Sequence, residues 1–136
     1  MNQPPAHFHL KVAPTRANVG LVRHVLSGLA DAGAVSRARM EKVLLAVSEA
    51  VTNVVRRHGV DGLAAGGAVE VEGTLVDGVL RVAVRDGGLP MLPRPDDSGM
   101  GQGLPIIAAV ADRVTFHDAP GGGAEVVMEF ALAGDG

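Results

Sequence analysis

From residue 7 to residue 12 apolar and polar positions alternate. Phe8, Leu10 and Val12 fall on one side; His7, His9 and Lys11 fall on the other. A period of two predicts a half-buried strand. The period then changes. Thr15 is a good N-cap, and Val19, Val22, Val25, Leu26 and Leu29 form a helical stripe that should end near Ala32 and Gly33. Ser36 caps a second, longer helix with the stripe Met40, Val43, Leu44, Val47, Ala50, Val51 and Val54. Gly59 to Gly67 is expected as a loop. Alternation returns at Val69, Val71, Gly73 and Leu75, and Asp77-Gly78 is a strong hairpin turn. The return strand runs from Val79 to Asp86, with Leu80, Val82 and Val84 on one side. Residues 87–103 carry glycines and prolines around Asp96 and Asp97, and no period survives there, so a long loop is expected. Leu104, Ile106, Ile107, Val110 and Ala111 suggest a short third helix, with Pro105 tolerated in its first turn. Val114 to His117 reads as a strand. Gly121, Gly122 and Gly123 turn the chain, and Val126, Met128, Phe130 and Leu132 alternate as a last strand. The order β-α-α-β-β-α-β-β predicts an α+β fold. It is a two-layer α/β sandwich whose mixed, mostly antiparallel sheet carries helices on one face.

Composition narrows the class. The 136 residues suggest one domain, read as a flexible tail at 1–6 and a folded unit at 7–133. The chain is 47% hydrophobic, enough to fill a core, yet it has no Trp or Tyr and only three Phe. No cysteine is present, which excludes disulfides, thiolate metal sites and cysteine nucleophiles. A net charge of −3 without a basic stripe gives no support for nucleic-acid binding. Neither a signal peptide nor a membrane-spanning run is visible, so a cytoplasmic protein without membrane attachment is expected.

Three stretches carry candidate chemistry. Glu49 and Asn53 lie four residues apart on the long helix, about 40° from each other on its surface. Asn53 falls just off one flank of the apolar stripe and Glu49 lies further round. Two readings fit: a pair of surface polar residues, or the wall of a groove beside the core. Asp86 shares its strand side with Leu80, Val82 and Val84, and a carboxylate there is costly without a partner. It either caps the following turn or accepts a hydrogen bond from a ligand amino group. Gly99, Gly101 and Gly103 feed the third helix, where spaced amides and a helix N-terminus favour an anion. That spacing matches neither the dinucleotide fingerprint nor a Walker A loop. His7 and His9 suit the exposed face of an edge strand better than a metal site, because no third ligand is nearby. Arg16, Arg23 and His24 suit a solvated helix face, with a partner-binding face as the sharper alternative.

The order of these stretches resembles the ATP-binding domain of the gyrase, heat-shock-90, histidine-kinase and MutL (GHKL) superfamily, the Bergerat fold. The resemblance runs from His7 to Leu132. Glu49-Ala50-Val51-Thr52-Asn53 looks like the N box. Asp86-Gly87-Gly88 looks like the first glycine box, and Gly99 to Leu104 like the second. Ala111-Asp112-Arg113-Val114 resembles the corresponding segment of one subgroup, the bacterial anti-sigma-factor serine/threonine-protein kinases. The short spacing between the glycine boxes also fits that subgroup. The resemblance implies phosphoryl transfer from Mg²⁺-ATP to a serine or threonine of an anti-anti-sigma (STAS-type) partner. A sigma factor would be a second partner, and homodimerisation is a family expectation with the first strand and first helix as candidate surfaces. Asn53 would hold Mg²⁺, Glu49 would take or orient the proton of the attacking hydroxyl, and Asp86 would accept from the adenine amino group. Gly88 would let the backbone approach the base, and Gly99, Gly101, Gly103 and Leu104 would surround the phosphates. Two positions depart from the family pattern. Arg57 stands where the subgroup usually has His, and Pro90 replaces a glycine and removes an amide donor. The departures bear on kinase activity more than on the fold. They leave a second function open: a non-catalytic module of the same fold that sequesters a regulatory protein.

Overall fold

The computed structural model describes residues 6–31, 35–64, 67–87, 105–118 and 123–132. Strand β1, Ala6–Val12, leads into helix α1, Arg16–Asp31. The Thr15 hydroxyl accepts a long hydrogen bond (3.4 Å) from the Asn18 amide, as an N-cap should. The proposed cap at Ala32 and Gly33 lies outside the described residues. Helix α2 spans Arg37–Ala64, and its Ser36 cap accepts from the Arg39 amide at 3.3 Å.

The expected loop at Gly59 to Gly67 is corrected: α2 continues through Ala64. A glycine inside a helix costs about 1 kcal/mol relative to alanine. Gly59 and Gly62 therefore weaken the last two turns without stopping them.

Strands β2, Ala68–Val76, and β3, Val79–Gly87, form the expected hairpin. Asp77 and Gly78 both have positive φ, 54° and 78°. That is the requirement of a two-residue turn matched to strand twist. Residues 105–110, Pro105 among them, are helical and are the described part of a short helix α3. Strands β4, Arg113–Asp118, and β5, Ala124–Ala131, complete the sheet.

The sheet order is β1-β2-β3-β5-β4, and all four pairings are antiparallel. The expected mixed component is absent among the described strands. The reason is topological: β5 returns beside β4 as a hairpin and inserts between β4 and β3. Strand β3 is therefore central, with β2 on one side and β5 on the other.

One sheet face is covered. Val43, Val47, Ala50 and Val51 of α2 pack with Val69, Val71, Val82, Val84 and Met128 of the sheet, all buried. Val22 and Leu26 of α1 join the same core. An Arg23 to Ser48 hydrogen bond of 2.8 Å ties the two helices together. No described helix is long and apolar enough to cross a membrane.

Candidate functional site

Strand geometry sets the first wall. Successive side chains on β3 alternate faces, so Leu80, Val82 and Val84 send Asp86 to the covered face. Asp86 is only 2% exposed, although it lies one residue before the end of its strand. Its backbone is fixed on both sides, opposite Val69 of β2 and Ala124 of β5.

Helix geometry sets the second wall. Ala50, Asn53, Val54 and Arg57 recur at one helical face of α2 and line a single pocket with Val84 and Asp86. Ile107 of α3 and Phe116 of β4 line it as well. The pocket has about 430 Å³ of empty space, part of it open to solvent.

Among the described residues, Asn53 and Asp86 are the only buried polar side chains, and both line this pocket. Buried polar groups are expensive, so two in one place make this pocket the candidate site. Asn53 Oδ1 accepts a weak 3.4 Å hydrogen bond from Nη1 of Arg56. The Asp86 carboxylate stands 3.6 Å from Nε of Arg57, an ion-pair distance.

The structure brings Asn53 and Asp86 together, as the sequence suggested. Glu49 is half-buried one turn before Asn53 and is not among the residues lining the pocket. Gly88, Gly99, Gly101, Gly103 and Leu104 lie outside the described residues. Arg57 and Phe116 are among the lining residues that escaped the sequence reading in this role. Arg57 was read only as a departure from a pattern, though it sits one helical turn beyond Asn53. Phe116, nearly half exposed, follows Val114 on the covered side of β4 by simple alternation.

The His7 and His9 reading holds. His7 Nε2 lies 2.8 Å from Glu72 Oε2, and His9 pairs with Glu70, on the uncovered face. No group of three or more His, Cys, Asp or Glu side chains able to hold a metal occurs among the described residues. Among the described residues the donor set does not fit a cation caged by protein. It fits a Mg²⁺ ion held mainly by phosphates and water, to which one amide oxygen such as that of Asn53 adds a ligand. A buried carboxylate beside apolar walls likewise fits a flat base with an exocyclic amino group.

Comparison with known proteins agrees with this geometry. No curated protein sequence is significantly similar to the chain. A crystal structure of the RsbU and RsbW domains of Rv1364c from Mycobacterium tuberculosis is similar, with a TM-score of 0.70 and 25% sequence identity. The match covers 96% of this chain and 33% of that one, so the chain spans about a third of the length of its relative. The family profile described as histidine kinase-like ATPase domain matches residues 12–130. The chain belongs to the histidine kinase-like ATPase domain family.

Proposed function

We propose that residues 7–133 form an ATP-binding domain acting in the cytoplasm as an anti-sigma-factor-like serine/threonine-protein kinase. Its phosphoacceptor is a Ser or Thr of an anti-anti-sigma, STAS-type partner, with a sigma factor as the regulated second partner. The observation that carries the reading is the pairing of the two buried polar side chains, Asn53 and Asp86, in one pocket. Family membership and the likeness to a protein with an RsbW domain support it.

In this reading Asp86 accepts from the adenine amino group while Val84, Ile107 and Val54 supply apolar walls. Asn53 offers its carbonyl oxygen to Mg²⁺, a hard cation that neutralises phosphate charge during transfer. Gly88 admits the base, and Gly99, Gly101, Gly103 and Leu104 surround the phosphates. Glu49 accepts or orients the proton as the partner's hydroxyl oxygen attacks the γ-phosphorus and ADP leaves.

Calorimetric titration with ATP, with and without Mg²⁺, tests the reading in the native chain and in Asn53→Ala. Binding that depends on Mg²⁺ and weakens about tenfold or more in the variant is expected, the size of a lost charged contact. Absence of binding up to millimolar ATP would sink it.

A second reading has its own support. The guanidinium of Arg57 stands beside Asp86 inside the pocket. That favours a non-catalytic module that works by sequestering its partner. Nucleotide binding without phosphate transfer to any STAS-type partner would select it.

A further inference from the structure

We infer that Arg57 is the gate of the base subsite: in the free protein its guanidinium stands against the Asp86 carboxylate, and a bound nucleobase must compete with it. The inference rests on the reading of Asp86 as the acceptor for an amino group.

Arg57 sits one turn after Asn53 on the pocket face of α2, and its Nε is 3.6 Å from Asp86 Oδ2. The Arg57 side chain is 16% exposed and that of Asp86 is 2% exposed. Both groups line the pocket whose walls are otherwise largely apolar. Solvent screens this pair far less than a surface pair, and the two charges offset each other's desolvation.

One buried carboxylate must serve both donors inside the same pocket. An exocyclic amino group that reaches the carboxylate meets a guanidinium already beside it. The ligand must then either share the acceptor at a poorer geometry or move the arginine aside. Either outcome sets part of the base contact against the loss of the ion pair. The pocket therefore binds more weakly than its walls alone would allow, and Arg57 sets how much.

Residues beyond α2 limit where the displaced side chain can go. Among the described lining residues, Val84 and Ile107 offer the displaced side chain no polar group. Glu125 lines the same pocket but is engaged by Arg85 at 2.6 Å. Phe116 lines the pocket and is exposed, so it offers an aromatic face on which a guanidinium can stack.

The test separates a gate from a merely structural arginine, because the two predict different signs. In Arg57→Met the free protein loses the cation beside a buried carboxylate, so its melting temperature falls by several degrees. Mg-ATP affinity rises, by about tenfold if the lost competitor is comparable to one charged hydrogen bond. An arginine that only supports the fold would lower both. Unchanged or weaker Mg-ATP binding in Arg57→Met, with binding intact in the native chain, overturns the gate and leaves the nucleotide reading standing. If neither protein binds Mg-ATP, the nucleotide reading falls and takes the gate with it.

A measurement on the unmutated chain covers the case in which the variant does not fold. With ¹⁵N-labelled arginine, the Arg57 Nε–H resonance should shift and exchange faster with solvent on saturation with Mg-ATP. A resonance that keeps its position and protection on saturation overturns the proposal.

Discussion

Strand β3 carries charge on both of its faces, and the two faces treat it differently. On the covered face Asp86 is buried at the strand end with the guanidinium of Arg57 at 3.6 Å. On the open face the neighbouring residue, Arg85, sits among three carboxylates. Its Nε donates to Glu125 at 2.6 Å, its Nη2 donates to Glu72 at 2.9 Å, and Glu70 lies 3.8 Å from Nη1. Glu72 and Glu70 in turn meet His7 and His9 of β1. The open face is thus a polar ladder across four strands, with signs alternating from β2 through β3 to β5. Water reaches it, several partners share each charge, and each pair is worth little. The covered face has few charges and little solvent. A single substitution there changes both stability and what the pocket will accept. Sheet order explains why: β3 is central, so its covered side lies under α2 and its other side faces solvent.

The largest effect expected from breaking this contrast is on the covered side. Leu80 is 1% exposed and shares that side with Asp86. Leu80→Ala should cost about 2–5 kcal/mol, the range for truncating a packed leucine. Urea denaturation followed by circular dichroism measures it. A loss below about 1 kcal/mol would mean that this end of the core is not packed as described.

A smaller effect is expected where β1 meets β2. Gly73 lies opposite Phe8, and a Cβ on Gly73 would overlap the Phe8 ring. Gly73→Ala must push the ring aside, at about 1–3 kcal/mol. Gly73→Ala combined with Phe8→Leu should recover part of that loss, because the smaller side chain frees the space. A double variant no more stable than Gly73→Ala alone would place the cost elsewhere, for example in the backbone.

On the open face Arg85→Met should cost only about 1 kcal/mol, and the cost should shrink in added salt. The hydrogen bond to Glu72 is the main reason the Arg85 guanidinium is held above its ordinary pKa. Removing it leaves Glu70, Glu72 and Glu125 near one another, and their repulsion is what salt would screen. A salt-independent loss would contradict the solvated-ladder description.

Much of this arrangement was legible in the chain before any coordinates. A period of two placed Asp86 with Val84 and Val82, and the helical wheel put Asn53 at the edge of the α2 stripe. The Asp77-Gly78 dipeptide fixed the register of β2 against β3, because only residues that tolerate positive φ close that turn. Other features were hidden because they are not local. The insertion of β5 between β3 and β4 depends on where the whole sheet closes. The Arg57–Asp86 pair joins a helix to a distant strand, so no window on the sequence contains both. The last turns of α2 were misread because Gly59 and Gly62 count heavily in a local reading. Glu49 was legible as the neighbour of Asn53, yet one turn of helix carries it off the pocket wall.

The smallest effect concerns pH, and it isolates the ladder from the pocket. The Glu72 carboxyl is held below its ordinary value of 4.5, first by the hydrogen bond with His7 and then by Arg85. A carboxyl whose folded-state pKa is depressed binds its proton more readily in the unfolded chain. Its contribution to stability is therefore fully present above about 4.5, the unfolded value. It fades as the pH falls through the lower folded value. Glu72 is about 35% exposed, so solvent screening limits the contribution to a few tenths of a kcal/mol. The urea midpoints of the native chain and of Glu72→Gln, compared at pH 7 and pH 3, should differ slightly at the higher pH and converge at the lower. Convergence would show that the open face titrates as a set of weak, separable pairs. A gap that persists undiminished at pH 3 would mean that Glu72 stabilises the sheet through packing rather than charge.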